Sequence, residues 1–372
     1  MAAKFDPDSG TSQIIDITVQ VGRTGVITPV ANLAPVNIGG VLISRASLHN
    51  RDEIIRKDIR LGDTVRLVRA GDVIPKIEEV LLDQRAEDSQ PFVFPTNCPS
   101  CDSPLVFSES EVAVRCLGSG NCHAQDTERL KYFVSRAAMD IEGMGAKLVE
   151  RLYQEDLVRK PSDIFCLSDH AERIQAWEGF GAKSWQNLMQ AIEKSRSVRF
   201  SRFLVALAIP QIGQSSALLL SEHYGNLTQM LLDVQNPKDE VIARLTEING
   251  IGVSMAEDFL EVLLNPVQSD EIERLASMLN IEPDPKAQAT EGFLSGKTVV
   301  FTGKFADFSR AEAQGQARMF GAKVASSVSG KTDLVVAGTD AGSKRGKAEK
   351  LGIEIWQESD WQAALMAQEK KS

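Results

Sequence analysis

The chain has 372 residues, of which 43% are apolar and 25% are charged. This composition predicts a folded protein of several domains and excludes a disordered chain. No apolar run approaches the roughly 18 residues of a membrane helix, and the residues after Met1 do not form a signal peptide, so we expect neither a membrane span nor secretion. The net charge of −10 argues against a uniformly basic coat for nucleic acid, but it allows local contacts.

Residues 14 to about 82 alternate apolar and polar side chains in short runs, at 15–19, 41–43, 64–68 and 77–80. Glycine, proline or aspartate separates these runs, which is typical of strands joined by tight turns. One helical stretch interrupts them near residues 46–57. The pattern predicts a small β-barrel that closes around one helix, as in an OB-fold.

A glycine-flanked turn in this barrel, residues 21–25, presents Arg23 and Thr24. A guanidinium and a hydroxyl on such a turn can reach a groove or a phosphate, so both residues are predicted to bind DNA. The alternative is an exposed turn whose arginine is incidental.

Four cysteines lie within 25 residues in the pattern C-x2-C-x14-C-x5-C, namely Cys98, Cys101, Cys116 and Cys122. Two thiolate pairs complete a tetrahedral zinc shell with no open position, so the spacing predicts a structural zinc site. The alternative is four unrelated buried thiols. His123 directly follows the last cysteine, but four sulfurs already fill the shell, and we expect it to be a bystander.

Helical periodicity dominates from about residue 126 to 279, and short glycine-containing hairpins recur within it at 141–145, 177–181, 209–213 and 248–252. Their spacing indicates an internal repeat. In each hairpin a glycine precedes a helix, where backbone N–H groups can approach a phosphate oxygen with no Cβ in the way.

These hairpins therefore predict contacts with a nucleic-acid backbone, although glycine is also an ordinary cap between packed helices. Lys147 and Lys183 follow the first two hairpins within one helical turn, where the helix dipole disfavours a cation unless an anion is bound. The third hairpin departs from the pattern, because Gln211 replaces the first glycine. The predicted backbone-binding glycines are Gly143, Gly145, Gly179, Gly181, Gly213, Gly250 and Gly252.

A proline-containing polar segment at 283–291 predicts a linker, and strand and helix patterns alternate beyond it. This pattern predicts a small α/β domain over 292–372. Thr302 and Gly303 follow a buried strand, where a hydroxyl and a backbone N–H can hold a phosphate. The alternative is a tight turn that closes the strand. We expect Trp361 to lie in the core.

Taken together, these features resemble the C-terminal half of a bacterial NAD+-dependent DNA ligase. The residues that carry the resemblance are the cysteine spacing and the strings VGRTGVITPVA at 21–31, SRASLHN at 44–50, RAGDVIP at 69–75 and KTDLVVAG at 331–338. The resemblance implies a multidomain α+β protein that contains an OB-fold barrel, a four-cysteine zinc finger, an all-α helix-hairpin-helix domain and a BRCT domain.

The expected order is a remnant of an adenylation domain at 1–8, the OB-fold at 9–82, the zinc finger at 83–126, the hairpin domain at 127–282, the linker at 283–291 and the BRCT domain at 292–372. In this family the barrel, the helical hairpins and the end domain encircle nicked duplex DNA, and the zinc finger holds the barrel and the hairpin domain in register. The resemblance implies nick sealing in DNA replication and repair, with AMP from NAD+ and with Mg2+. We expect a monomer in the bacterial cytoplasm, close to the nucleoid.

The chain departs from the family in one respect, because the nucleophile motif Lys-x-Asp-Gly does not occur in these 372 residues. Residues 1–5 are similar to the last adenylation-domain motif, whose lysine contacts the AMP phosphate, and Lys4 takes that role only beside the missing domain. We therefore expect this chain to bind nicked DNA without adenylating itself, as a truncated ligase or with an adenylation domain supplied in cis or in trans. The alternative is a standalone, non-catalytic DNA-binding or scaffold protein.

Overall fold

A computed structural model describes residues 8–69, 75–107, 113–118, 120–285, 293–305, 308, 310–339 and 342–369. The chain divides into two compact units, residues 1–284 and residues 285–372. Among the described residues, no helix has both the length and the apolar character that crossing a bilayer requires. The four-cysteine site and the glycine hairpins lie in the first unit.

The N-terminal part of the first unit is the predicted closed barrel, with strand order β1-β2-β3-β5-β4. Its elements are β1 (Asp8–Val21), β2 (Ile27–Ile38), β3 (Val41–Ser47), helix α1 (Arg51–Lys57), β4 (Thr64–Arg69) and β5 (Lys76–Val80). Alternate residues such as Ala31, Leu33, Val65 and Leu67 are buried and fill the barrel. The OB-fold prediction is therefore confirmed.

Two local predictions in the barrel were wrong. The helix begins at Arg51 rather than near residue 46, because the Asn50 side chain accepts the backbone N–H of Glu53 and Ala46 pairs with Ala31 in the sheet. The sequence pattern also missed β2, since Pro29 resembles a break between strands. In the structure Pro29 lies inside β2 opposite Val19, and a strand tolerates proline where its ladder needs no N–H donor.

The zinc finger follows the barrel and is built on an antiparallel hairpin of β6 (Leu105–Phe107) and β7 (Val114–Cys116). Helix α2 (His123–Val134) begins directly after Cys122 and leads into the hairpin domain. This helix starts slightly before the predicted helical region at residue 126.

The hairpin domain packs short helices around one core that includes Phe133, Phe200, Phe203 and Phe259. Its elements are α3 (Ala146–Gln154), α4 (Pro161–Ile164), α5 (Ala171–Gln175), α6 (Ala182–Ser195), β8 (Ser197–Arg199), α7 (Phe200–Ala206), α8 (Gln214–Tyr224), α9 (Leu227–Asp233), α10 (Lys238–Thr246), α11 (Val253–Leu264), α12 (Pro266–Met278) and β9 (Asn280–Glu282). Strands β8 and β9 pair in parallel and join the middle of the domain to its end.

Asp284 fixes the C-terminal end of this domain. Its carboxylate accepts the backbone N–H of Ser201 at 2.6 Å and the hydroxyl of Ser201 at 2.7 Å, and it also accepts the hydroxyl of Ser221. These donors lie on α7 and α8, so a single side chain ties the chain end to two helices.

The second unit has a parallel four-stranded sheet in the order β11-β10-β12-β13, with helices packed against it. Its elements are β10 (Thr298–Thr302), α13 (Arg310–Met319), β11 (Lys323–Ala325), β12 (Leu334–Ala337), α14 (Gly342–Leu351), β13 (Glu354–Gln357) and α15 (Glu358–Glu369). Trp361 is fully buried, with its ring edge-on to Phe301 at 5.1 Å between centroids. The predicted α/β fold and the core position of Trp361 are both observed.

Candidate zinc centre and nucleic-acid interface

The four predicted cysteines come together, with all four sulfur atoms within 4.8 Å of one another. The Sγ atoms of Cys98 and Cys122 are 3.9 Å apart, and those of Cys101 and Cys116 are 3.4 Å apart. Tetrahedral zinc with Zn–S bonds of about 2.3 Å requires sulfurs about 3.8 Å apart. The cluster therefore fits a structural zinc ion.

Each cysteine occupies a position that the local backbone fixes. Cys98 and Cys101 share a turn in which the Cys98 N–H donates to the carbonyl of Ser103 at 2.8 Å. Cys116 ends β7, and Cys122 is the N-cap of α2. The His123 ring stacks on Tyr153, with ring centroids 4.6 Å apart.

Two thiols of this cluster have pKa values shifted in opposite directions. Burial raises the pKa of Cys116 to about 12, whereas a hydrogen bond with the Ser103 hydroxyl lowers the pKa of Cys101 to about 6. A buried thiolate at Cys116 needs a nearby cation to offset its desolvation. The chemistry of the donors thus agrees with their geometry in favouring a bound divalent metal.

The barrel and the zinc finger meet at Gly25, which has a φ of +78°. The Cys116 N–H donates to the Gly25 carbonyl at 2.9 Å, and a Cβ on Gly25 would lie 2.3 Å from the Cys116 carbonyl oxygen. The Gln125 side chain donates to the same Cys116 oxygen at 3.0 Å. Only glycine fits this contact, so the turn of the barrel is docked directly onto a zinc-binding strand.

Arg23 extends this junction to α2. Its guanidinium carbon lies 4.2 Å from the centroid of the Tyr132 ring, and its carbonyl accepts from Arg129 Nε at 3.1 Å. Thr24 is exposed beside it. Sequence reasoning missed this packing role because the partners are more than a hundred residues away; the contacts of Arg23 and Thr24 with DNA stay a prediction.

The position of the first glycine in each helical hairpin, two residues before the last glycine, has left-handed backbone geometry. The φ angles are +83° at Gly143, +77° at Gly179, +61° at Gln211 and +108° at Gly250. Gln211 therefore takes the same conformation as the glycines it replaces, and the third hairpin keeps its shape. Glycine at this position is explained by the backbone alone.

At the last glycine of each hairpin, neither the backbone conformation nor contacts within the protein require glycine. Gly145, Gly181, Gly213 and Gly252 are exposed N-cap residues with φ between −74° and −102°, and none makes a side-chain cap. A Cβ at any of the four would meet no atom within 4 Å. The fold does not need glycine at these positions, and each leaves the start of a helix open to approach from outside.

In the second unit, Gly303 is required by the close approach of the segments that follow β10 and β12. Its φ is +86°, and a Cβ would lie 2.6 Å from the Thr339 carbonyl oxygen. The Thr339 N–H donates to the Lys304 carbonyl at 2.8 Å, and Thr302 is buried. This accounts for Gly303 as a tight structural position; a phosphate contact of Thr302 and Gly303 stays a prediction.

Two sequence predictions fall outside the described residues. They are Lys4, in the suggested adenylation-domain remnant, and the central part of the 69–75 motif, residues 70–74.

Family models match four segments of the chain. Residues 11–89 match the NAD-dependent DNA ligase OB-fold domain, and residues 97–124 match the NAD-dependent DNA ligase C4 zinc finger domain. Residues 135–194 match the SAM-like helix-hairpin-helix tandem, and residues 289–364 match the BRCA1 C Terminus (BRCT) domain. The chain carries the OB-fold and zinc-finger domains of the NAD-dependent DNA ligases.

Proteins named DNA ligase are similar to the chain over nearly all of its length. One from Rickettsia bellii strain RML369-C is 46% identical over 97% of this chain and 53% of its own length. Those from Rhodospirillum rubrum and Acidiphilium cryptum are 45% and 44% identical, each over 98% of this chain and 54% and 53% of their own lengths. The chain thus spans about half the length of these ligases.

The zinc centre generates a prediction about metal content. Replacing Cys116 with serine removes one ligand and is expected to abolish tight zinc binding, whereas the matched Cys166→Ser variant keeps about one zinc per chain, since Cys166 lies outside the cluster. Inductively coupled plasma mass spectrometry measures the zinc content of both variants. Chelation should also speed hydrogen exchange at the Cys116 amide, because that amide bonds to Gly25 across the junction. Zinc retained by Cys116→Ser, or exchange unaffected by chelation, would contradict the structural role.

The close contact at Gly25 generates a second prediction. Gly25→Ala introduces both the strained φ and the clash with Cys116, whereas Gly40→Ala introduces strain alone, because Gly40 has a φ of +79° and no atom within 4 Å of its Cβ position. The control should lose about 1–2 kcal/mol of unfolding free energy, and Gly25→Ala should lose at least about 2 kcal/mol more. Denaturant unfolding measures the difference, and equal losses would show that the junction tolerates a side chain.

Proposed function

We propose that this chain is the DNA-holding part of an NAD+-dependent DNA ligase and that it binds nicked duplex DNA through the sugar-phosphate backbone. Its ligase-type OB-fold and zinc finger, and its similarity to proteins named DNA ligase, support this proposal. Sealing would take AMP from NAD+ and would use Mg2+, both at an adenylation domain that carries the Lys-x-Asp-Gly nucleophile. Nick sealing in replication and repair is the proposed cellular role.

The observation that carries the proposal concerns the helix that follows each hairpin: it begins at an exposed glycine, and no side chain caps its first N–H groups. At Gly145 and Gly181 neither the backbone conformation nor internal packing requires glycine, so an external group that must come close is the remaining reason for it. The uncapped N–H groups of a helix start are well suited to a phosphate oxygen. Such backbone contacts carry no base information, which suits an enzyme that must act on breaks in any sequence.

Cations beside these helix starts support the same ligand. Lys147 and Lys183 are each the second residue of α3 and α6, and both are exposed. The positive end of the helix dipole repels a lysine there unless an anion lies between them. A DNA phosphate supplies that anion and is held by both the amides and the ammonium group.

Other residues are proposed as further contacts, each within its own unit. Arg23 and Thr24 lie on the barrel turn that packs against α2, so a DNA contact there would be held rigidly by the zinc finger. Thr302 and Gly303 are proposed as a phosphate contact in the BRCT domain. Lys4 would contact the AMP phosphate only together with the adenylation domain.

Binding through the sugar-phosphate backbone of DNA generates a prediction about how the affinity depends on salt concentration. Replacing Lys147 and Lys183 with alanine should weaken binding to nicked duplexes of every sequence and should reduce the slope of log K against log salt by about 2, since two phosphate contacts are lost. Lys238→Ala is the matched control, because Lys238 is also an exposed lysine at a helix start but follows no glycine hairpin. Fluorescence anisotropy measures the affinities. An unchanged slope, or a loss confined to some sequences, would argue against phosphate binding.

A nick-sealing assay tests the ligase assignment. With NAD+ labelled in its adenylate half, no label should attach to this chain on a denaturing gel, because no Lys-x-Asp-Gly occurs in it. Adding an adenylation domain with that motif, together with Mg2+, should yield sealed product, and omitting this chain should lower the yield. Label on this chain would contradict the expectation that only a separate adenylation domain accepts AMP. A yield of sealed product that is the same with and without this chain would favour a scaffold role.

A further inference from the structure

The hairpin domain contains two pairs of hairpins that can be compared position by position. The first pair comprises residues 141–145 and 177–181 with α6, and the second pair comprises residues 209–213 and 248–252 with α11. Matching the last glycine of each hairpin places α11 on α6, so that Ser254 corresponds to Lys183 and Asp258 corresponds to Asn187. On the same alignment, Gln211 corresponds to Gly143.

In the first pair, the absence of a side chain at Gly143 leaves a groove. A cavity of about 680 Å³ lies beside this glycine and is also lined by Asn187 and Gln190 of α6. Three basic side chains line the same cavity, namely Lys194, Arg199 and Arg202. Two carboxylates, Asp140 and Glu142, line it as well. Arg202 pairs with Asp140 at 3.7 Å, and Arg199 pairs with Glu282 at 3.0 Å.

In the second pair, the corresponding position is filled. Gln211 has the same left-handed φ, but its side chain reaches across to α11. Its Nε2 donates to Ser254 Oγ at 2.9 Å and to Asp258 Oδ2 at 2.6 Å. A hydrogen-bonded amide and a carboxylate therefore occupy the place where the first pair has its groove.

The two halves of the domain also differ in charge. Residues 135–200, which include the first pair, hold ten Lys and Arg against ten Asp and Glu. Residues 201–284, which include the second pair, hold four against thirteen. At the hairpins themselves, Glu257 and Asp258 stand on α11 where α6 has Gln186 and Asn187, so a phosphate would meet carboxylates at the second pair.

We infer that the first hairpin pair alone holds the DNA backbone, which lies along the groove beside Gly143, and that the Gln211–Asp258 contact closes the second pair to DNA. The inference rests on the proposed function. It assigns different roles to glycines that occupy equivalent positions in the sequence repeat. Gly145 and Gly181 bind phosphate, whereas Gly213 and Gly252 do not.

Valine substitutions at these glycines provide a matched test. All four positions have negative φ and open space around the Cβ, so a side chain fits equally well in the free protein at each of them. A difference in DNA affinity then reports contact with DNA and not damage to the fold. Equal melting temperatures of the variants check this directly.

The experiment measures the Kd of the full chain for a nicked duplex at low salt. The double variant Gly145→Val, Gly181→Val should weaken binding at least tenfold, because two phosphates are held off by the added methyl groups. The double variant Gly213→Val, Gly252→Val should stay within twofold of the parent chain. Equal losses in both would overturn the inference and leave the proposed function standing, whereas no loss in the first variant would overturn the proposed function as well.

A second arm tests the groove itself by exchanging the corresponding residues. Asn187→Asp places the acidic residue of the second pair in the first pair and should weaken binding several-fold by repelling the backbone. Asp258→Asn keeps an acceptor for Gln211 and should change the affinity less than twofold. If Asn187→Asp binds DNA as the parent chain does, the backbone does not follow this groove and the assignment of the groove is wrong.

Discussion

The close approach of the Gly25 and Cys116 backbones is the contact on which the first unit depends. It joins the barrel to the zinc-binding strand at a distance that no side chain permits. The apolar cluster there mixes barrel residues such as Val21 and Ile27 with the four cysteines, so the metal site and the barrel share one core. Because Cys122 also starts α2, the same cluster orients the first helix that leads into the hairpin domain.

This arrangement explains why a small zinc module lies between two larger domains. A hairpin of two three-residue strands cannot bury enough apolar area to be rigid alone, and a bound metal supplies the missing cohesion. Arg23 stacks on Tyr132 of α2, which adds a second point of attachment on the same side. The barrel is thereby held to the helical domain through short-range contacts.

Patterns that rest on local chemistry were predictable from the sequence. The cysteine spacing, the alternation in the barrel and the glycine hairpins each reflect a constraint within a few residues, and the structure brings the four cysteines together. Features that depend on distant partners were not predictable. Gly25 and Gly303 both resemble ordinary turn glycines, yet each is required by a carbonyl that lies far away in the sequence. Pro29 suggested a break between two strands. A strand accepts proline where the neighbouring strand does not need its N–H as a hydrogen-bond donor, and the sequence does not show where that is.

The anchor at Asp284 has a mechanical consequence for the first unit. Strand β9 alone would peel from β8 one hydrogen bond at a time if the chain were pulled from residue 285 onward. The carboxylate of Asp284 adds three hydrogen bonds at that end, from the Ser201 amide and the two serine hydroxyls. A pull along the polypeptide therefore meets a side-chain clamp on two helices before it reaches the strand pair.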